Sequence, residues 1–338
     1  MNLPIINKSM SRNAKVFISL LLVVVVLFAI SGIFNPRSLS PNHILEVVRQ
    51  SAPLGITAMG QSAVILTGGI DLSVGEIITM TNIISADMMK GRNLRTVPVV
   101  LLLLLIGALI GGMNGFMIAT TNIPPMVMTF AMSSMVKGGY LLYSGGAPRG
   151  RVSPILRYIG TERFLGIPVT IIVYALLIVA VLYYFQKTKW GRSAYFIGNN
   201  PVAAEYAGIP KTYRLIMIYA FSAMMAVIAG LILSGYIGIG NFDVGGDSYM
   251  LNSIASSVVG GNTFNGIGNV GGAAIGALII TVIESVMTSL GVAETGKLVM
   301  RGIIIITMVT LYMGSIDLGK VKKLFSGEGG SLEDARGN

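Results

Sequence analysis

The sequence predicts an all-α protein, a polytopic transmembrane helical bundle of about ten spans with broken helices near its Gly-rich motifs, and three observations carry that prediction. Of 338 residues, 53% are apolar and only 11% charged, less than half the roughly 25% charge of a soluble domain. The mean hydropathy of +0.77 is the reverse of a disordered chain, which is poor in apolar residues and rich in charge. The charges are also bunched, leaving charge-free stretches at 16–36, 50–70, 96–136, 164–186, 215–242 and 248–283. A bilayer core about 30 Å thick takes about 20 apolar residues to cross as helix.

The first stretch follows Lys8, Arg12 and Lys15 and contains the run Leu20 to Ile30. No A-x-A cleavage site closes it before Phe34, so it reads as a retained first helix rather than a removed signal peptide. One helix fits in 50–70 and another in about 74–90, bounded by Glu76 and Asp87. The stretch 96–136 holds two, parted at Thr121-Asn122-Ile123-Pro124-Pro125. One helix each fits 164–186 and 215–242, two fit 248–283 around a Gly/Asn stretch, and about 297–316 supplies the tenth. The chain thus divides into a cytoplasmic segment 1–15, a transmembrane domain 16–316 and a cytoplasmic tail 317–338.

Basic residues are retained on the cytoplasmic side during insertion. With the N-terminus inside, that side receives Lys8, Arg12 and Lys15, five basic residues in the loop 187–214 and four in the tail; the other side receives nine, including Arg149, Arg151, Arg157 and Arg163. The bias favours cytoplasmic termini but is weak. A net charge of +10 invites a nucleic-acid reading, which needs a basic groove with stacking aromatics. Here the positive charges are spread over loops on both sides, which fits topology and anionic lipid headgroups, not nucleic acid. The absence of cysteine excludes disulfides and thiolate metal sites. A single histidine, His43, expected in an interfacial loop, leaves no histidine-based metal site or triad. No phosphate loop of the G-x-x-x-x-G-K-[ST] type occurs, so the chain has no ATPase site of that kind.

Glycines recur every fourth residue at Gly107, Gly111 and Gly115, and at Gly268, Gly272 and Gly276. Small residues at this spacing let helix backbones approach closely in lipid. The segment Ile65-Leu66-Thr67-Gly68-Gly69-Ile70-Asp71-Leu72-Ser73-Val74-Gly75 sets a carboxylate between two apolar stretches. A charge at membrane depth costs about 2.5–3.5 kcal/mol on insertion scales, so Asp71 should be paired, hydrated or bonded to backbone donors. It is placed to cap a helix beginning near Leu72; a role in the translocation path is compatible with that. Thr67, Asn82, Asn114 and Asn122 are candidate lining groups, or else helix-to-helix hydrogen bonds. Leu66-Thr67-Gly68-Gly69 and Val258-Val259-Gly260-Gly261 suggest an internal duplication, each followed by a break and a new helix, the arrangement by which paired broken helices line a polar route.

At Gly69 to Gly75 the sequence resembles the permease subunits of bacterial ABC importers of the ribose, galactose and xylose type, in which G-I-D-L-S-V-G follows an apolar stretch. Gly191-Arg192 with Ile197-Gly198-Asn199-Asn200-Pro201-Val202-Ala203-Ala204-Glu205-Tyr206-Ala207-Gly208-Ile209 resembles the family's G-R-x-x-x-A-x-G-G-N-x-x-A-A-x-x-x-G-I loop. Ser253 to Gly261, leading into Gly266 to Gly272, is the third resemblance, and the three together span about 45–315. The resemblance implies a pore subunit without chemistry of its own, importing a sugar by alternating access across the inner membrane. It implies a partner ATP-binding subunit that holds ATP and Mg, a periplasmic or extracellular sugar-binding protein, and a second permease copy or paralogue. Gly69, Asp71, Ser73 and Gly75 would belong to the translocation region. Ala203, Ala204, Glu205 and Gly208 would couple the pore to the ATPase, with Tyr206 and Ile209 as apolar anchors, while Trp190 reads as an interfacial anchor.

Two departures stand out. Asn199 replaces the second glycine of G-G-N, and Tyr249-Met250-Leu251-Asn252-Ser253-Ile254-Ala255 lacks both acids of the family's Y-E-L-D-A-I-A. The competing classes are an ion-coupled secondary transporter, for which Asp71 and Glu284 are the plausible intramembrane pair, and a passive channel for a small polar solute.

Overall fold

A computed structural model describes residues 12–121 and 123–313; the tail 317–338, residues 1–11 and Asn122 lie outside the described residues. Within them run thirteen α-helices: α1 (Arg12–Phe34), α2 (Pro41–Leu66), α3 (Val74–Met89), α4 (Thr96–Thr121), α5 (Pro125–Ser144), α6 (Pro154–Thr161), α7 (Val169–Lys187), α8 (Lys189–Asn199), α9 (Pro201–Tyr206), α10 (Lys211–Ile237), α11 (Gly246–Val259), α12 (Val270–Ser289) and α13 (Glu294–Met313). A two-residue hairpin, β1 (Arg163–Phe164) and β2 (Ile167–Pro168), precedes α7. Ten long helices stand at the ten stretches read from sequence, with α6, α8 and α9 between them.

Five of the ten, α1, α4, α7, α10 and α12, are apolar and long enough to cross a membrane by themselves. Of the others, α3 and α11 are only 16 and 14 residues long, whereas α2 falls short for a different physical reason. The helix α2 buries Ser51, Thr57, Gln61 and Ser62 among neighbouring helices, and a helix surrounded by protein need not present apolar residues to lipid. The charge-free windows were therefore too narrow. The helix α2 begins early enough to contain Glu46 and Arg49, which pair with each other, and α5 contains Lys137, which lies 3.8 Å from Glu76 of α3. His43 sits in the first turn of α2 rather than in a loop.

The connections sort into two faces by their contacts. On one, Gly91 N–H donates to Arg151 C=O (2.8 Å), Ile155 N–H to Asn93 Oδ1 (3.0 Å) and Arg163 to Asn42 (3.1 Å), while Arg151 bridges Ile239. The Arg-rich segment thus meets the first turn of α2 and the α3–α4 and α10–α11 connections. On the other face, the α7–α10 connection meets both the α2–α3 break and the α11–α12 break.

At the centre, α4 packs along α10 through three small residues. A Cβ at Gly107 would lie 2.6 Å from the Val227 side chain, at Gly111 2.2 Å from Tyr219 C=O, and at Gly115 2.7 Å from Ile216 Cα. Gly272 and Gly276 make the same approach to α11, at Gly260 and Ser256. Gly268 does not belong with them. Asn269 is the N-cap of α12, its side chain accepting from Gly271 N–H (3.0 Å), so the helix starts beyond Gly268, which lies in the break at φ +148°.

Candidate functional site

Both breaks are built by one device. After α2, Thr67 is the C-cap, Gly68 adopts φ +85°, and Gly68 and Gly69 N–H groups donate to Ile65 and Val64 C=O (2.9 and 3.2 Å). This is a Schellman motif, which needs a left-handed residue one position past the cap. After α11, Gly260 is the C-cap, Gly261 adopts φ +87°, and Gly261 and Asn262 N–H groups donate to Val258 and Ser257 C=O (2.9 and 3.2 Å). The conformational equivalent of Gly68 is therefore Gly261, one residue later than the pairing of L-T-G-G with V-V-G-G. Counting equal letters aligned the glycines, whereas the backbone aligns the left-handed position.

Beyond the first motif the chain turns back into the bundle. The Asp71 carboxylate is fully buried and accepts from Ser73 N–H (3.0 Å), Ser73 Oγ (2.6 Å) and Ser222 Oγ of α10 (3.0 Å). With its amide turned to the orientation that satisfies both ends, Gln61 of α2 clamps the backbone of the same residue, its nitrogen donating to Asp71 C=O (3.0 Å) and its oxygen accepting from Asp71 N–H (3.2 Å). Asn114 of α4 donates to Ser73 Oγ (3.2 Å), and Thr129 of α5 donates to Ile70 C=O and accepts from Leu72 N–H (both 3.1 Å). Gln61, Asn114 and Ser222 stand five, seven and eleven residues inside the ends of their helices, or about 7–17 Å at 1.5 Å per residue. The carboxylate therefore lies at membrane depth, held by neutral donors from its own turn and α10.

Asp71 is not the helix cap read from sequence. The N-cap of α3 is Ser73, without a side-chain cap bond, and the helix begins at Val74. Asp71 instead accepts the N–H two residues on, closing an Asx turn. Gly69 is required by packing, since a Cβ there would lie 2.3 Å from the Tyr219 hydroxyl, and Gly75 by the backbone of Gly246, 2.1 Å away. Of the polar candidates, Asn82 donates to Ser234 Oγ (3.1 Å) and Ile239 C=O (3.2 Å) and accepts from Asn241 N–H (2.7 Å). Thr67 turns its hydroxyl back to Val64 C=O. Both are structural hydrogen bonds.

The segment 187–214 contains two short capped helices. Thr188 caps α8 by accepting from Gly191 N–H, and Asn200 caps α9 by accepting from Ala203 N–H, with Pro201 in its first turn. A third Schellman motif closes α9: Gly208, at φ +77°, and Ile209 donate to Glu205 and Ala204 C=O (2.9 and 3.0 Å). Gly208 has open space around it, so backbone conformation alone requires glycine there. Ala204 is buried, Ala203 and Glu205 are exposed, and Tyr206 is 90% exposed. Trp190 stacks on the Arg214 guanidinium at 3.6 Å.

The C-terminal end of α8 is wedged between the two breaks. A Cβ at Gly198 would lie 1.7 Å from Leu66 C=O and 2.9 Å from Gly266, while one at Gly266 would lie 2.4 Å from Tyr195 C=O. This juxtaposition of three separate glycine motifs carries no sequence signal. The substitution at Asn199 falls at an exposed position, so the glycine kept by the chain, Gly198, is the one the packing needs. Sequence reading also passed over Glu76, which accepts from Tyr140 (2.7 Å), and the pairing of Asn252 with Glu284 (3.0 Å). Asp71 is bonded to Ser73 and Ser222, whereas Glu284 accepts from Asn252 at the other end of the bundle's polar groups, between α11 and α12.

Residues 43–309 match the family described as "Branched-chain amino acid transport system / permease component". Among curated proteins the chain is similar to the ribose import permease protein of Bacillus subtilis, 35% identical over 85% of this chain and 89% of that protein. It is 32% identical to the galactose/methyl galactoside import permease protein of Salmonella typhimurium, over 86% and 91%. With the fructose import permease protein of Rhizobium meliloti it is 31% identical, over 87% and 84%. No solved structure matches.

Proposed function

The chain belongs to the family of transport-system permease components, and from that premise we propose that it carries a monosaccharide across the bacterial inner membrane as the permease subunit of an ABC importer. The observation that carries the choice of sugar is the similarity, over most of both chains, to import permeases named for ribose, galactose and fructose. ATP and Mg act on a separate ATP-binding subunit. That subunit docks on the α8–α9 connection, where Val202, Ala203 and Tyr206 are exposed apolar residues that a partner groove can cover. Its movement reaches the bundle through Gly198, because α8 abuts both breaks. A sugar-binding protein delivers to the opposite face, where the α6 segment lies, and a second permease copy or paralogue completes the pore. The α8–α9 face and both termini are cytoplasmic in this reading, which retains the division at 1–15, 16–316 and 317–338.

The test is a pair of substitutions at Gly208 in the assembled importer. Gly208→Val forces a β-branched residue into the left-handed region, at about 1–2 kcal/mol, and should abolish sugar-stimulated ATP hydrolysis. Gly208→Asn, which tolerates that region, should retain most of it. Unchanged stimulation in Gly208→Val would overturn the docking assignment.

A further inference from the structure

Where α7 ends and α10 begins, a shallow cleft lined by Tyr184, Phe185, Trp190, Arg214, Met217 and Phe221 runs between α7, α8 and α10. It encloses only about 10 Å³, room for one water at most, so an occupant must lie along its surface, as a bilayer lipid does. The depth of the cleft follows from the chain. Lys187 closes α7 and Lys211 opens α10, and Arg214 stands three residues into α10, about 4.5 Å along its axis. Tyr183, Trp190 and Tyr213 are exposed around it, and such side chains gather at the membrane–water boundary.

The charge here has no counterpart within the chain. The connection 187–214 carries Lys187, Lys189, Arg192, Lys211 and Arg214 against Glu205 alone, and among the described residues none of the five makes an ion pair. Arg214 is the most constrained of them. Its guanidinium lies over the Trp190 ring at 3.6 Å, and Tyr213 meets that ring edge-on at 5.5 Å. Arg214 Nε and Nη1 are buried with no hydrogen-bond partner, while the residue as a whole is half-buried. Nη2, which is not buried with the other two, is the nitrogen left to reach an anion. The group cannot lose its proton, so its charge calls for a counter-ion at this depth. Beside it Met217 is exposed and Phe221 half-buried, which gives the counter-ion an apolar flank. Basic pockets between spans on the cytoplasmic side take anionic lipid headgroups.

We propose that this cleft binds an anionic phospholipid, its phosphate against Arg214 Nη2 and an acyl chain along Met217 and Phe221. The lipid braces the start of α8, the helix whose other end is wedged between the two breaks at Gly198. The proposal rests on the reading that the α8–α9 face is cytoplasmic, because the anionic leaflet lies there.

Trp190 is the single tryptophan of the chain, so its fluorescence reports the cleft directly. The full chain is reconstituted in phosphatidylcholine vesicles in which about a tenth of the lipid is either phosphatidylglycerol or phosphatidylcholine with brominated acyl chains, which quench tryptophan on contact. One basic side chain at the surface favours an anionic lipid about fivefold, so the brominated phosphatidylglycerol should quench Trp190 about three times as strongly. Arg214→Gln should bring the two lipids level, and Arg214→Lys, which keeps the charge, should retain the preference. Arg192→Gln, which removes an exposed charge from the same connection, should also retain it. Equal quenching by the two lipids in the parent chain overturns the site, as does an equal loss of preference in Arg214→Gln and Arg192→Gln, which would mean diffuse attraction. Replacing chloride with inorganic phosphate at constant ionic strength should change nothing; loss of the preference there would assign the cleft to a soluble anion and overturn the lipid. Both leaflets of the vesicle have the same composition, so the quenching is independent of orientation. Sidedness is scored separately in cells with Tyr206→Cys, an exposed position in a chain without cysteine: reaction with an impermeant maleimide from outside would overturn the cytoplasmic reading, and protection supports it.

Discussion

Replacing Asp71 separates its hydrogen bonds from its charge. Its carboxylate accepts three hydrogen bonds at 2.6–3.0 Å, from Ser73 N–H, Ser73 Oγ and Ser222 Oγ. Side-chain hydrogen bonds between helices in lipid contribute about 0.6 kcal/mol on average and about 1.7 at most. Three of them make Asp71→Ala about 2–5 kcal/mol less stable, before any loss from Gln61, which holds the same residue by its backbone. In Asp71→Asn, Oδ1 keeps both bonds to Ser73, and the new Nδ2 donates to Ser222 Oγ, a hydroxyl that accepts as readily as it donates. That change should cost under about 1 kcal/mol, the scale of a single such bond. The assay is thermal unfolding of each variant in nanodiscs, paired with ATP-driven uptake by the assembled importer. Asp71→Ala should lose folded protein and uptake together, and Asp71→Asn should keep both. An Asp71→Asn chain that unfolds like the parent yet transports nothing would refute the reasoning, because it would assign function to the charge itself.

Two further outcomes follow from the packing. Gly198→Ala would place a methyl 1.7 Å from Leu66 C=O, and overpacking of this kind costs about 1–3 kcal/mol; the assembled importer should hydrolyse more ATP per sugar moved, and an unaltered ratio would remove α8 from the transmission route. Tyr140→Phe removes the donor to Glu76 Oε2, which is buried, and should lower stability by about 1.5–3 kcal/mol, as for other hydrogen bonds to charged groups; the Lys137 contact at 3.8 Å is too exposed to compensate, and unchanged thermal unfolding would contradict this.

Much of the architecture was legible because membrane insertion imposes a coarse rule on sequence. Charge-free stretches placed eight helices and two shorter apolar stretches two more, and Gly68-Gly69 and Gly260-Gly261 marked the breaks, since left-handed backbone is costly for other residues. Three kinds of feature were not legible. The polar content of α2 depends on burial by neighbours that hydropathy does not register. The partners of Asp71 and Ser73 come from Gln61, Asn114 and Ser222, on three helices far apart in sequence, and no spacing rule joins them. The duplication was one residue out of register, because equal letters are a weaker guide than the position that needs positive φ. The connection α8–α9 was half legible. Its small residues stood out, while the caps at Thr188 and Asn200, typical N-cap residues, were present in the sequence and went unused.

The central claim, that this chain is the passive half of an ATP-driven sugar importer, is tested most directly by uptake into liposomes. The purified chain is reconstituted alone, then with its ATP-binding subunit and sugar-binding protein, and radiolabelled ribose, galactose or fructose is offered with and without ATP. Accumulation should require all components and ATP. Uptake by the chain alone, whether driven by an ion gradient or running passively to equilibrium, would contradict the account.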